Sequence, residues 1–344
     1  MDNEFNCGSG GGADSDFNLR VAAIFVILVG SSSGALFPVL AKRSSWLHVP
    51  KSVFDFAKYF GSGVIIATAF IHLLSPGLDA LSSECLADGW HEYPYALALC
   101  LLSIFAIFII ELVAFRWGTS KLQRLGKTHD AHGHSLGSHA AHGPEGVINP
   151  PTKVESNISA DVESARNSIP QQHEHDHDFE DNASTQMIGI AILEFGVVLH
   201  SVLIGLTLAV AQNFKVLFVV IVFHQTFEGL GIGSRLAYLE LPRKYGWIPI
   251  GGAILYGLTT PVGIAVGLGV RTTYNPDSTT ASIVSGVFDS LSAGILIYTG
   301  LVELFAHEFL FNKEMMSASN GKLIYAVGSM CLGCALMALL GKWA

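Results

Sequence analysis

Eight stretches of mainly apolar residues constrain this chain more than any motif in it. Each is close to the roughly 20 residues that one helical crossing of a bilayer needs. They cover Leu19–Ala41, Val53–Leu78, Pro94–Trp117, Thr185–Ala211, Phe214–Leu236, Trp247–Val270, Ala281–Phe305 and Lys322–Leu340. Half of the 344 residues are hydrophobic and 14% are charged, against about 25% charged in a soluble domain. Within hydrocarbon a backbone must satisfy its own polar groups, so single spans read as helices. The expected fold is an all-α membrane protein with eight transmembrane helices. A formal net charge of −9 argues against nucleic acid as a partner, since its binders need a basic face. Five scattered cysteines do not make a disulfide framework or a Cys-rich zinc module. Cys331 and Cys334 share a helix face without a second such pair and read as small helix- or lipid-facing residues.

Lys and Arg set the expected orientation. With the N-terminus outside, 15 of the 19 basic residues fall in inner segments, and only Arg20, Lys215, Arg271 and Lys342 fall outside. That is a clear positive-inside bias, and it places both termini extracellularly. Residues 1–18 are acidic and Gly-rich, without the positive start of a signal peptide, so the first span is expected to stay in the protein. The expected organisation is an outer segment 1–18, helices one to three over 19–118, a cytoplasmic segment 119–184, and helices four to eight over 185–344. Cys7 and Cys85 both fall outside, where a disulfide is permitted; the sequence leaves that pairing open.

The segment 119–184 has almost no apolar runs and contains Pro150 and Pro151. Such a composition cannot bury a core and reads as disordered. It carries eight of the fourteen histidines: His129, His132, His134, His139, His142, His173, His175 and His177. A His-rich tract of this kind reads as metal-binding and regulatory. Glycosylation-type sequons at Asn157 and Asn182 would go unused on the inner side.

Ionisable residues inside a span cost about 2.5–3.5 kcal/mol each on insertion scales and so mark functional positions. The fourth span carries Glu194, His200 and Ser201; the fifth carries His224, Gln225 and Glu228. A linker of a couple of residues makes these two spans antiparallel neighbours. His200 and His224 each lie about ten residues from that linker, about 15 Å below the surface and near the membrane midplane. Two imidazoles and a carboxylate meeting at one depth suit a divalent metal of borderline softness, Zn²⁺ before Fe²⁺ or Mn²⁺. The absence of a nearby Cys suits an ion that must leave again. Hydrogen bonding between the two helices is the plainer alternative.

HSVLIG in the fourth span and HQTFEG in the fifth resemble the signature of the ZIP family of metal transporters, in the form carried by its fungal and plant zinc and iron members. The resemblance extends to the eight spans, the His-rich inner segment and SAGILIYTGLVEL in the seventh span. It implies a ZIP-type helix bundle in the plasma membrane, uptake of a divalent metal into the cytoplasm, and a transport site at His200, Ser201, His224, Gln225 and Glu228. Zn²⁺ would be the substrate, with Fe²⁺, Mn²⁺ or Cd²⁺ as further candidates and no prosthetic cofactor. Two-metal members have a glutamate where Ile204 stands and an aspartate where Gln225 stands. No charge lies between Trp247 and Arg271, so with Glu228 as the one carboxylate at this depth a single ion is expected.

The same topology suggests an entrance and an exit. His72 and Asp79, seven apart on one expected face, could receive metal from outside. Glu303, His307 and Glu308 at the inner end of the seventh span, with Glu194, could release it; Glu111 has no assigned role. An intramembrane zinc hydrolase is the rival from another class. Its protease form needs HExxH, but Phe311 follows His307 and Glu308 where the second His belongs. A metal-sensing receptor is weaker still. The expected partners are the metal ion and the lipid bilayer. A homodimer, and ubiquitination machinery acting at Lys121, Lys127 or Lys153, are the further partners the sequence allows.

Overall fold

The computed structural model describes residues 7–8, 15–44, 49–124, 174–239 and 241–343. Eight long helices run through the described residues: α1 (Phe17–Arg43), α2 (Lys51–Leu81), α3 (Tyr95–Arg124), α4 (Glu174–Val210), α5 (Phe214–Ala237), α6 (Ile248–Val270), α7 (Thr279–Phe311) and α8 (Asn320–Leu340). Among the described residues there is no strand. Each helix contains one of the eight apolar runs. The backbone of α3 continues to Arg124 and that of α4 begins at Glu174, so helix reaches into both ends of the segment read as disordered. His129, His132, His134, His139, His142 and His173 lie outside the described residues. His175 and His177 fall on the first turns of α4.

Polarity is arranged as a bilayer demands. Phe25, Val29, Leu102 and Ile324 are exposed on the outward faces, while His200, Ser201, His224, Gln225 and Glu228 are buried within the bundle. Lipid offers no hydrophobic drive between helices, so close backbone approach has to supply the packing. Helix α2 achieves this twice. A Cβ at Gly61 would collide with the backbone of Gly231 on α5, and one at Gly63 with the backbone of Met330 on α8. Around this centre α1 packs on α5 and α6, α4 on α6, and α3 on α7.

Two helices depart from regular α geometry. Thr68–Leu74 within α2 and Thr299–Phe311 at the end of α7 are wound as π-helix, a form concentrated at functional sites. One face of the bundle is tied together covalently. Cys7 and Cys85 form a disulfide, realising the pairing the sequence left open. Asn275 Nδ2 donates to the Gly8 carbonyl at 2.7 Å, and Thr279 Oγ1 to the Cys85 carbonyl at 2.9 Å.

Candidate metal centre

The α4–α5 hairpin is pinned at its turn by a cation from α1. The last carbonyls of a helix lack intrahelical partners, and those of α4 receive a buried guanidinium. Arg20 Nη1 donates to Leu208 O at 3.2 Å and Ala209 O at 2.9 Å, and Nη2 to Ala211 O at 2.7 Å. Its charge also lies 4.5 Å above the Phe214 ring. A cation at a helix C-terminus is favoured by the macrodipole. The turn is thereby fixed, and with it the register of the two helices below.

From the face bearing the disulfide, four helices bring polar residues to one depth. His72 precedes the end of α2 by nine residues and His200 precedes the end of α4 by ten. His224 and Asp289 each follow the start of their helices, α5 and α7, by ten. At 1.5 Å per residue this is about 15 Å for each. The side chains meet there: the rings of His72 and His224 lie edge to face with centroids 4.6 Å apart, and those of His200 and His224 are 5.7 Å apart. Asp289 Oδ1 is 3.6 Å from His200 Nδ1, and Glu228 Oε2 is 3.8 Å from His224 Nε2.

Buried polar atoms are nearly always paired, yet this cluster is not. Both ring nitrogens of His200 and of His224, Ser201 Oγ, Glu228 Oε1 and Asp289 Oδ1 are buried without a hydrogen-bond partner. Leaving so many donors and acceptors dry in one place is costly, and a cation that accepts their lone pairs removes that cost. Among the described residues no three His, Cys, Asp or Glu side chains are already drawn into a closed ligand set. The cluster is therefore a lining of adjacent donors.

Gln225 is engaged elsewhere. Its Nε2 donates to Thr260 Oγ1 on α6, and its backbone carbonyl accepts from Tyr256 Oη at 2.7 Å. Tyr256 Oη also lies 3.3 Å from Glu228 Oε2. The hydroxyls of α6 thus hold the α5 acceptors in place, where the sequence showed only an uncharged span. Ile204 packs in the apolar cluster beside Leu208 and Ile221.

The two residues of the expected entrance, His72 and Asp79, lie in different surroundings. His72 is buried with Nε2 2.9 Å from Met337 O, while Asp79, two residues from the end of α2, is exposed. His72 belongs to the central cluster instead. The expectation that Glu228 is the one carboxylate at this depth is also overturned, because Asp289 lies beside His200. Its sequence signal is an acidic residue eight positions into the seventh span.

Toward the opposite face, Glu308 is held by Lys58 Nζ at 2.5 Å and faces Tyr59 Oη at 3.4 Å. Arg235, two turns beyond Glu228, donates to Ser62 Oγ at 2.5 Å. Glu303 and His307 are half-buried on the π-wound end of α7. Glu194 is half-buried against α6, where Gly252 leaves room for its carboxylate. Glu111 accepts from Tyr298 Oη at 2.6 Å, which gives it a helix-pairing role between α3 and α7.

Comparison with known proteins agrees over nearly the whole chain. The family model described as ZIP zinc transporter matches residues 17–341. Zinc-regulated transporter 2 of Saccharomyces cerevisiae is 37% identical over 98% of this chain and 97% of its own length. Zinc-regulated transporter 1 of the same yeast is 40% identical over 97% and 90%. Fe(2+) transport protein 1 of Arabidopsis thaliana is 32% identical over 95% and 86%.

Proposed function

The chain belongs to the ZIP zinc transporter family and is a multi-pass membrane transporter of divalent metal, not an enzyme; we propose that it carries Zn²⁺ into the cytoplasm across the plasma membrane. In this reading one ion binds between α4 and α5, on His200, His224 and Glu228, with Ser201 Oγ or water completing the shell. The observation that carries it is the group of unpaired, buried imidazole nitrogens and carboxylate oxygens on the two helices. Imidazole and carboxylate together suit Zn²⁺. Fe²⁺ is the second reading, favoured by the similarity to the Arabidopsis Fe(2+) transport protein and by carboxylate in the donor set.

A second ion would need further carboxylates at the places filled by Ile204 and Gln225, and the Gln225 amide is bound to Thr260. Two dications about 4 Å apart repel by several kcal/mol per charge product even at an effective dielectric near 20. Inward release passes Glu194 or Glu303 and His307, while Glu308 is available only after Lys58 leaves it. The positive-inside bias supports the orientation with both termini outside, and the disulfide on the N-terminal face suits it. The His-rich inner segment, by its composition, senses metal and does not conduct it.

Radiolabelled zinc uptake into vesicles tests this reading, with Fe²⁺, Mn²⁺ and Cd²⁺ as competitors. Zinc should saturate uptake, and His200→Ala, His224→Ala or Glu228→Ala should abolish it at normal membrane abundance. Near-wild-type uptake by Glu228→Ala would remove the site. Stronger competition by Fe²⁺ than by unlabelled zinc would favour the iron reading.

A further inference from the structure

Asp289 is buried in the middle of α7, and among the described residues no Lys or Arg is paired with it. A carboxylate at such depth is expensive and is retained where something positive comes to it. It faces the imidazole of His200, with Oδ1 3.6 Å from Nδ1. The ring of His224 lies 5.7 Å from that of His200, and neither nitrogen of His200 has another partner. A histidine that ligates a metal through one nitrogen almost always donates the other N–H to a carboxylate or carbonyl, which fixes its tautomer and ring orientation.

We propose that Asp289 is the positioning residue of the transport site: its carboxylate accepts a hydrogen bond from Nδ1–H of His200 and so directs Nε2 at the ion shared with His224 and Glu228. The inference rests on the reading of His200, His224 and Glu228 as the site. It adds a charge argument that the α4–α5 pair alone does not supply. Glu228 leaves a bound dication half compensated, whereas Glu228 and Asp289 together neutralise it. A neutral occupied site is one the bilayer interior tolerates. The 3.6 Å separation is only slightly longer than a hydrogen bond, so Asp289 links α7 to His200 on α4 once that bond forms.

The test uses purified full-length protein in detergent with Zn²⁺ as the probe. Zinc affinity is measured by competition with a chelating dye, and the thermal midpoint is taken without metal. Asp289→Asn and Asp289→Ala should weaken zinc binding about 10- to 100-fold while the metal-free midpoint stays at its parent value. Asp289→Glu should recover most of the loss. A purely structural Asp289 would lower the metal-free midpoint and leave the affinity of the folded fraction intact, which overturns the proposal. So does an affinity within twofold of the parent in both variants. X-ray absorption at the zinc edge of the parent and of Asp289→Glu adds a measurement independent of variant folding. An unchanged His and Glu shell is expected, and an Asp289 oxygen at about 2.0–2.2 Å would make it a ligand and refute the positioning role. His200→Ala and Glu228→Ala run in parallel separate the two claims. If they bind zinc normally the site itself is wrong; if they lose zinc while Asp289→Asn does not, only the present inference fails.

Discussion

The imidazole of His72 stands edge to face against that of His224, ring centroids 4.6 Å apart, so α2 contributes a histidine to the centre of the bundle and not to its mouth. The Nε2 atom of His72 is engaged by Met337 O at 2.9 Å, which holds its ring beside the site. His72→Phe keeps a ring against His224 and removes both nitrogens. Zinc uptake should fall at least tenfold at unchanged surface abundance. Uptake equal to the parent would show that His72 only packs.

Arg20 satisfies three carbonyls at the end of α4. Arg20→Met keeps the apolar stem and strands those acceptors, each at about 1–3 kcal/mol. The solubilised protein should melt several degrees lower, and Arg20→Lys should rescue it poorly because an ammonium cannot reproduce the planar fork. A midpoint equal to the parent in Arg20→Met would remove the guanidinium from the account of how the hairpin is held.

The Lys58–Glu308 pair joins α2 to the π-wound end of α7 with both side chains largely buried. Losing one partner of such a pair costs about 3–5 kcal/mol because the other charge is left without compensation. Lys58→Met alone should therefore destabilise, and Lys58→Met with Glu308→Gln should recover much of the loss. Additive effects in a thermal double-mutant cycle would show that the two do not interact.

The Cys7–Cys85 disulfide spans 78 residues of sequence. In the chain-entropy treatment closing a loop of that size is worth about 4.5 kcal/mol. Cys85→Ser should lower the thermal midpoint, and reduction should have no further effect on that variant. In intact cells, a membrane-impermeant thiol reagent should label Cys7 and Cys85 after mild reduction. Labelling only after the cells are opened would reverse the proposed orientation.

The spans were legible because hydrocarbon demands about 20 apolar residues per crossing, and the α5 and α6 runs match their helices almost to the residue. His200, His224 and Glu228 were legible because each is ionisable in an otherwise apolar run, at a depth fixed by one short turn. The π-helices were not, since hydropathy carries no record of how a helix is wound. The binding of Gln225 to Thr260 is a contact between residues 35 apart in sequence, invisible without the fold. Asp289 lies on the seventh span, away from the short turn that fixes the depth of His200 and His224, so its place beside His200 shows only in the fold.

The anomalous signal of zinc in a structure of the metal-bound protein tests the central claim most directly. One ion is expected within the bundle, ligated by His200, His224 and Glu228 at about 2.0–2.2 Å. Two ions within about 4–5 Å of each other at this depth would contradict the single-ion site, and an ion bound elsewhere in the membrane interior with His200 and His224 left bare would contradict the site altogether.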